Sequence, residues 1–304
     1  METIKIGTRG SLLAMWQTSF VAEQIRKFFP DASIEIVKIS TKGDRVLDSP
    51  LSKIGGKGLF TKEIEHALLN HEVDLAVHSL KDLPTKIPAG LNLGAVTARE
   101  DPRDAFVSKK FSSFEKLPTG AKIGTSSLRR RAQIQHLRPD LIVENLRGNV
   151  QTRLKKLDEF DAIILAVAGL KRLELEDRIT EIFAVEKILP AVGQGAIAIE
   201  IRNDDSRIQN MIEPLNDIET FIETSAERAF LDRVGGSCQV PIGVFGKIHD
   251  DTLNLEAVIS SIDGKNFLRE KISGNKKIAH ELGRSLADHL ISMGGSKILN
   301  ELTN

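Results

Sequence analysis

Apolar positions along the chain recur in two rhythms, every second residue and every third or fourth, and the switches between them mark out the expected elements. Residues 3–7 read as a strand. Ser11 then caps a helix whose inward candidates, Leu12, Leu13, Trp16, Phe20 and Ile25, run up to Pro30. Ile34, Ile36 and Ile39 give a second strand, and residues 41–58, rich in Gly, Lys, Asp and Ser, read as a long loop. A helix over Thr61 to Asn70 leads into a buried strand at 73–77. Strand alternating with helix predicts a largely parallel sheet covered on both faces. The alternation restarts near Asp101, with strands at 104–107, 122–124, 141–144 and 161–167 and helices at 127–137 and 149–158. Ala191-Val192-Gly193-Gln194-Gly195 leads into one more strand, from which the chain can return to the first domain.

From about Glu219 the texture changes. A helix runs to Arg233, and strand-like runs follow at 240–248, 252–261 and 266–272, the last two joined by the hairpin signal Asp263-Gly264. A closing helix over 275–292 places Ile278, Leu282, Leu286 and Leu290 at four-residue spacing. The expected class is α/β: two α/β domains around a cleft plus a small C-terminal α+β domain, an antiparallel sheet with helices. The expected boundaries are 1–97 plus 197–215, 98–196, and 216–304.

Composition narrows the function. With 41% hydrophobic and 28% charged residues, the 304-residue chain is ordinary for a globular protein. No apolar run is long enough to span a bilayer, the first residues lack the pattern of an export signal, and there is a single cysteine. A cytoplasmic location is expected from these features. Net charge is zero, yet residues 121–157 hold nine basic and two acidic side chains. Such a patch points to an anionic partner. The chain has no tyrosine, one tryptophan and no familiar nucleic-acid motif, so a small multi-anionic ligand fits better than a polyanion.

Several stretches could carry chemistry. Cys238, in Gly235-Gly236-Ser237-Cys238-Gln239-Val240-Pro241, is either a core filler or a single chemical handle. Gly124-Thr125-Ser126-Ser127-Leu128-Arg129-Arg130 runs from a strand end into a helix start, where backbone N–H groups, hydroxyls and guanidinium forks suit an anion. A capped helix with a solvated basic face is the plainer alternative. Gly7-Thr8-Arg9-Gly10-Ser11 repeats the design at the start of the first domain. Leu146-Arg147-Gly148-Asn149 and Arg153 either face the same cleft or solubilise the surface. Val77-His78-Ser79-Leu80-Lys81-Asp82 sets a hydroxyl, an ammonium and a carboxylate at one strand end, as a proton-handling group or as a surface ion pair. Gly55-Gly56-Lys57-Gly58 fails the phosphate-loop pattern. HExxH and G-x-S-x-G are absent as well, which argues against zinc-protease and serine-hydrolase chemistry.

Taken in order, these stretches resemble the porphobilinogen deaminase (hydroxymethylbilane synthase) family. The resemblance also runs through Gly58-Leu59-Phe60, Glu100-Asp101-Pro102-Arg103-Asp104-Ala105-Phe106, Leu165 to Arg172, and Pro190 to Gly195. It implies two periplasmic-binding-protein-like domains and a third that carries the cysteine. It implies a transferase of tetrapyrrole (haem) biosynthesis that adds four porphobilinogens head to tail, each losing ammonia, to give hydroxymethylbilane. Cys238 would anchor a dipyrromethane cofactor through a thioether and would not be turned over. Asp82 would face the pyrrole N–H groups as the catalytic residue. Arg9, Arg129, Arg130, Arg147, Arg153 and Arg172 would hold the acetate and propionate side chains, supplemented by Ser11, Ser79, Lys81, Thr125, Ser126, Ser127 and Gly148. Phe60 and Gln194 would line the cleft, with residues 42–58 as a lid. The implied partner is the small-molecule substrate of a monomer, with no metal, nucleic acid or membrane. A non-enzymatic small-anion binding protein of the two-lobed solute-binding type is the rival expectation.

Overall fold

A computed structural model describes residues 3–45, 58–235 and 240–301. In chain order the strands are β1 (Ile4–Thr8), β2 (Ile34–Lys38), β3 (Leu75–Ser79), β4 (Leu91–Val96), β5 (Asp104–Val107), β6 (Lys122–Gly124), β7 (Ile142–Glu144), β8 (Ala162–Ala166), β9 (Glu181–Ile182), β10 (Ile197–Arg202), β11 (Ile242–His249), β12 (Thr252–Ser260) and β13 (Phe267–Asn275). The principal helices are α1 (Leu12–Phe28), α2 (Lys62–Leu69), α3 (Leu128–Leu137), α4 (Val150–Lys155), α5 (Val167–Arg172), α6 (Ser206–Ile212), α7 (Ile218–Arg233) and α8 (Ala279–Leu290).

The chain forms two units, Met1–Glu100 with Gly195–Phe221, and Asp101–Gln194 with Ile222–Asn304. In the first, a five-stranded sheet has the order β2-β1-β3-β10-β4. β1 pairs in parallel with β2 and β3, and β10 runs antiparallel between β3 and β4. The second unit repeats the plan in the order β7-β6-β8-β5-β9, with β5 as its reversed strand. The largely parallel sheet expected from the sequence is therefore present twice, each time with one strand turned around.

Alternation along the strands sends side chains to opposite faces. In the first unit Ile4, Ile6, Leu75, Val77, Ile199 and Ile201 pack on one face against Val21, Ala22 and Ile25 of α1. Ala76 lies on the other face with Ile64, Ala67 and Leu68 of α2. Each fully buried Val, Leu or Ile among these contributes about 1.5–3 kcal/mol of transfer free energy.

The inward face of α1 keeps Ile25 in the core and Phe20 against it, as its apolar spacing suggested, but is shifted at its start. Leu12 and Trp16 are exposed, while Gln17, Thr18, Val21, Ala22 and Ile25 are buried. The polar pair is accepted because it is satisfied: Thr18 Oγ1 donates to the Ala14 carbonyl at 2.9 Å, and Gln17 Nε2 to Ser79 Oγ at 2.9 Å.

In the second unit a three-stranded antiparallel sheet, β11-β12-β13, follows the first sheet in sequence. β13 extends to Asn275 because that residue pairs with Thr252, so the closing helix α8 begins at Ala279 rather than near 275. Leu282, Leu286 and Leu290 of α8 are buried as its spacing predicts, and Ile278 is exposed. The hairpin tip packs on α3, and a Cβ on Gly264 would lie 2.4 Å from the His136 backbone nitrogen. The His136 ring stacks on Phe267 at 3.8 Å. No helix among the described residues is long and apolar enough to cross a membrane.

Candidate functional site

In an α/β sheet, ligand-binding residues gather at the carboxyl ends of the parallel strands. In the first unit, neighbouring β1 and β3 end at Thr8 and Ser79. Arg9 follows β1 directly. Its Nε donates to Asp44 at 3.1 Å, Nη2 donates to the same carboxylate, and the guanidinium lies 4.2 Å from the Phe60 ring centroid. Burial pushes the Asp44 carboxyl up, but hydrogen bonds from Arg9 and Thr41 outweigh it and hold the group below the usual range. Ser11 caps α1, its Oγ accepting from the Ala14 N–H at 3.3 Å.

Beyond β3 the chain turns through a 3-10 segment, Leu80–Asp82. Ser79 Oγ exchanges hydrogen bonds with the Gln17 amide. Lys81 and Asp82 are both half-buried. No hydrogen bond or ion pair to the Asp82 carboxylate is formed among the described residues. Within β3, His78 Nε2 meets Glu200 Oε2 at 3.0 Å in a buried pair. Glu65 of α2 is buried nearby, and burial, with the Glu200 charge adding, raises its carboxyl above the usual range.

In the second unit the strand ends of β6, β7 and β8 supply the candidates. Thr125 is buried, and its Oγ1 accepts from the Ser127 N–H at 3.2 Å. Ser126 Oγ donates to the Leu146 carbonyl at 2.7 Å, and Ser127 caps α3. Gly148 follows the half-buried Arg147 in a left-handed conformation, φ 119°, and its carbonyl accepts from Arg153 Nε at 2.8 Å. Arg172 is buried at the end of α5.

Arg129 and Arg130 are spent differently from the sequence expectation. Both are buried and both are drawn to one carboxylate, Asp104, which has no solvent exposure. Arg130 Nη2 donates to its Oδ1 at 2.7 Å, and Arg129 Nη1 lies 2.8 Å from its Oδ2. Gln194 Nε2 donates to the same Oδ1 at 2.9 Å and to the Pro102 carbonyl at 2.7 Å. Burial alone would raise the Asp104 carboxyl, yet the two guanidiniums hold it far below the carboxylate range. The reversed direction of β5 explains how this residue arrives. Its first residue pairs with Ala166, the last of β8, and so stands at the edge where the parallel strands end.

Asp104 is the site residue that the sequence reading left unassigned. Its signal was a charged residue opening an otherwise apolar strand, Asp104-Ala105-Phe106-Val107. The structure thus brings together Arg129, Arg130 and Gln194 around Asp104, Arg9 with Phe60, Gly148 with Arg153, and Ser79 with Gln17. Cys238 and most of the 42–58 loop lie outside the described residues. Among the described residues no group of histidine, cysteine and acidic side chains could hold a metal ion.

Guanidiniums and hydroxyls at the strand ends of α/β units are the arrangement of a protein that handles small multi-anionic molecules. Comparison with known proteins makes the class specific. Residues 4–210 match the porphobilinogen deaminase dipyrromethane cofactor binding domain, and residues 221–292 match the porphobilinogen deaminase C-terminal domain. The chain belongs to the porphobilinogen deaminase family. It is 50% identical to the porphobilinogen deaminase of Carboxydothermus hydrogenoformans over 303 residues, 99% of this chain and 97% of that protein. Among solved structures it is similar to a periplasmic substrate-binding protein of an ABC transporter from Coxiella burnetii, at 14% identity and TM-score 0.46, covering 74% of this chain and 97% of that one. A nutrient binding protein from Burkholderia cenocepacia bound to methionine matches at 13% identity and TM-score 0.46, covering 69% and 90%.

Proposed function

We infer that this enzyme joins four porphobilinogen molecules head to tail into hydroxymethylbilane on a dipyrromethane primer, the primer being held by a thioether to Cys238. Each addition breaks the bond between the aminomethyl carbon and its nitrogen, which leaves as ammonia. A carbon–carbon bond forms to the free α-carbon of the preceding ring, and that carbon loses a proton. The primer, when bound, supplies the first such nucleophilic carbon. After four additions the carbon–carbon bond joining product to primer is broken, water adds to the freed methylene as the hydroxymethyl group, and a proton returns to the primer's terminal α-carbon.

The observation that carries this reading is Asp82: a half-buried carboxylate at a strand end, with no hydrogen bond or ion pair among the described residues. Such a group is ready to accept pyrrole N–H donors, to stabilise positive charge on the ring and to take up the departing proton. The fit to a polycarboxylate primer and substrate rests on the arginines. Arg147 follows β7, Arg153 lies in α4, Arg172 ends α5 and Arg9 follows β1, each a planar fork suited to carboxylates. Arg129 and Arg130, two cations on one aspartate, leave a net positive charge that attracts anions to that edge. Ser11, Ser79, Lys81, Thr125, Ser126, Ser127, Gly148, Phe60 and Gln194 support these groups in our assignment. Belonging to an enzyme family favours this reading over a non-enzymatic binding protein. We assign a cytoplasmic monomer with a third domain at 216–304. A hydrophobic cluster drawn mostly from this stretch, including Ala226, Phe230, Val244 and Leu286 and joined by Val192, supports that division.

Intact-protein mass spectrometry of the purified chain tests the reading. The expected mass exceeds that of the sequence by two pyrrole units, and the adduct maps to the peptide containing Cys238. An unmodified chain that still forms hydroxymethylbilane would overturn it.

A further inference from the structure

Among the described residues β11 is an edge strand that pairs with one strand, β12, and its outer N–H groups need partners. Three side-chain and main-chain oxygens supply them. Val244 N–H donates to the Pro190 carbonyl at 3.1 Å, Gly246 N–H to Glu227 Oε1 at 2.9 Å, and Ile248 N–H to Glu223 Oε1 at 3.0 Å. The spacing suits the job. Four residues of α7 rise about 6 Å, and two residues of strand span about 6.6 Å, so Glu223 and Glu227 stand in register with alternate donors. Both carboxylates are buried.

Glu227 also reaches a second stretch of chain. Its second oxygen, Oε2, accepts from the Gly193 N–H at 2.7 Å. Gly193 sits in a left-handed conformation, φ 69°, and the next residue is Gln194, whose amide clamps Asp104. The same segment touches the arginine pair at its other end. Leu189 exchanges hydrogen bonds with the Gln133 side chain, and its carbonyl accepts from Arg129 Nη1 at 2.6 Å. Residues 189–194 therefore join the edge of the C-terminal sheet to the arginine cluster at both ends of the segment.

We propose that Glu227 is a positioning residue for the arginine pair: by holding the Gly193 N–H it fixes the turn from which Gln194 clamps Asp104, and so sets Arg129 and Arg130. The proposal rests on the function given above, and its role is indirect, since Glu227 acts through the 189–194 turn.

The test is a double-mutant cycle in the cofactor-loaded enzyme with Glu227→Gln, Gln194→Ala and the pair, and Glu223→Gln as the comparison. Gln at 227 keeps one acceptor oxygen and faces the other N–H with an amide. Expected are a rise of about tenfold in KM for porphobilinogen, kcat within twofold, and an adduct still present by intact mass, as for loss of uniform binding. The double variant should be no worse than Gln194→Ala alone. Glu223→Gln should lower the urea midpoint without moving KM. If Glu227→Gln does not fold, Glu227→Asp, which keeps the charge but shortens the reach, is read the same way. A lowered midpoint with unchanged KM, or effects of 227 and 194 that multiply, overturns the proposal. A wild-type chain with neither adduct nor turnover would instead sink the function itself.

Discussion

Asp104 and Arg130 meet at 2.7 Å with neither side chain appreciably exposed, and Asp104 answers a second guanidinium, that of Arg129, through its other oxygen. A buried charge pair of this kind is most informative when one partner is removed. Asp104→Asn leaves two cations facing each other in the interior, which costs about 3–5 kcal/mol. Urea unfolding should show it as a large fall in midpoint with little change in slope.

The same pair fixes a pH dependence. The folded carboxyl of Asp104 is depressed, so its stabilisation is fully present above the unfolded value of about 3.9 and is lost only as pH falls below that. Wild type should keep its advantage over Asp104→Asn unchanged from pH 8 to pH 5, and the gap should narrow below pH 4. A gap that already narrows between pH 7 and pH 6 would contradict this.

Glu65 has the opposite sign. Burial raises its folded pKa, so the proton it binds stabilises the fold below the unfolded value of about 4.3, and this contribution is lost as pH rises through the folded value. The groups facing it are Glu200 on β10, His78 on β3, and Thr61 and His66 at the two ends of α2. Glu65→Gln cannot ionise. It should be more favourable relative to wild type at pH 8 than at pH 5, read from paired urea titrations.

Asp82→Asn tests the chemistry with little structural disturbance, since no ion pair or hydrogen bond among the described residues is lost. The stability change should stay within about 0.5 kcal/mol. The adduct should remain, and turnover should fall by about two to four orders of magnitude. Turnover near the wild-type rate would remove Asp82 from the reaction.

Gly148→Ala probes the loop between the two outer arginines. A Cβ there would lie 2.6 Å from Thr152 Cγ2, and the φ of 119° disfavours any side chain. The expected cost is about 1–3 kcal/mol of stability, with a raised KM because the Arg153 bond to the Gly148 carbonyl is displaced. An unchanged KM would separate this loop from substrate binding.

Much of this was legible in the sequence, and the reasons differ by element. The strand ends carrying Arg9, Asp82 and Ser127 were legible because strand-to-helix turns announce themselves through glycine, hydroxyls and capping. The buried face of α1 was not, because Gln17 and Thr18 enter the interior only with partners at Ser79 and Ala14, and such partners are set by tertiary packing. The fate of Arg129 and Arg130 was hidden for a similar reason. Their partner, Asp104, is about 25 positions away along the chain and reaches them only because β5 runs against its neighbours. β4 and α6 escaped the pattern too: Gly94 interrupts the first, and the second spans only seven residues.

The pairing of Asp104 with two buried guanidiniums has a consequence for how a lengthening product is accommodated. Arg129 is fastened to Asp104 and to the Leu189 carbonyl, and Arg130 to Asp104 and to the Ile164 carbonyl at 3.0 Å. Neither guanidinium can swing out to follow a carboxylate without abandoning a buried countercharge. As rings accumulate, these two side chains act as stationary reference points, and the travel needed to admit each new ring has to be found in the product or in other parts of the chain.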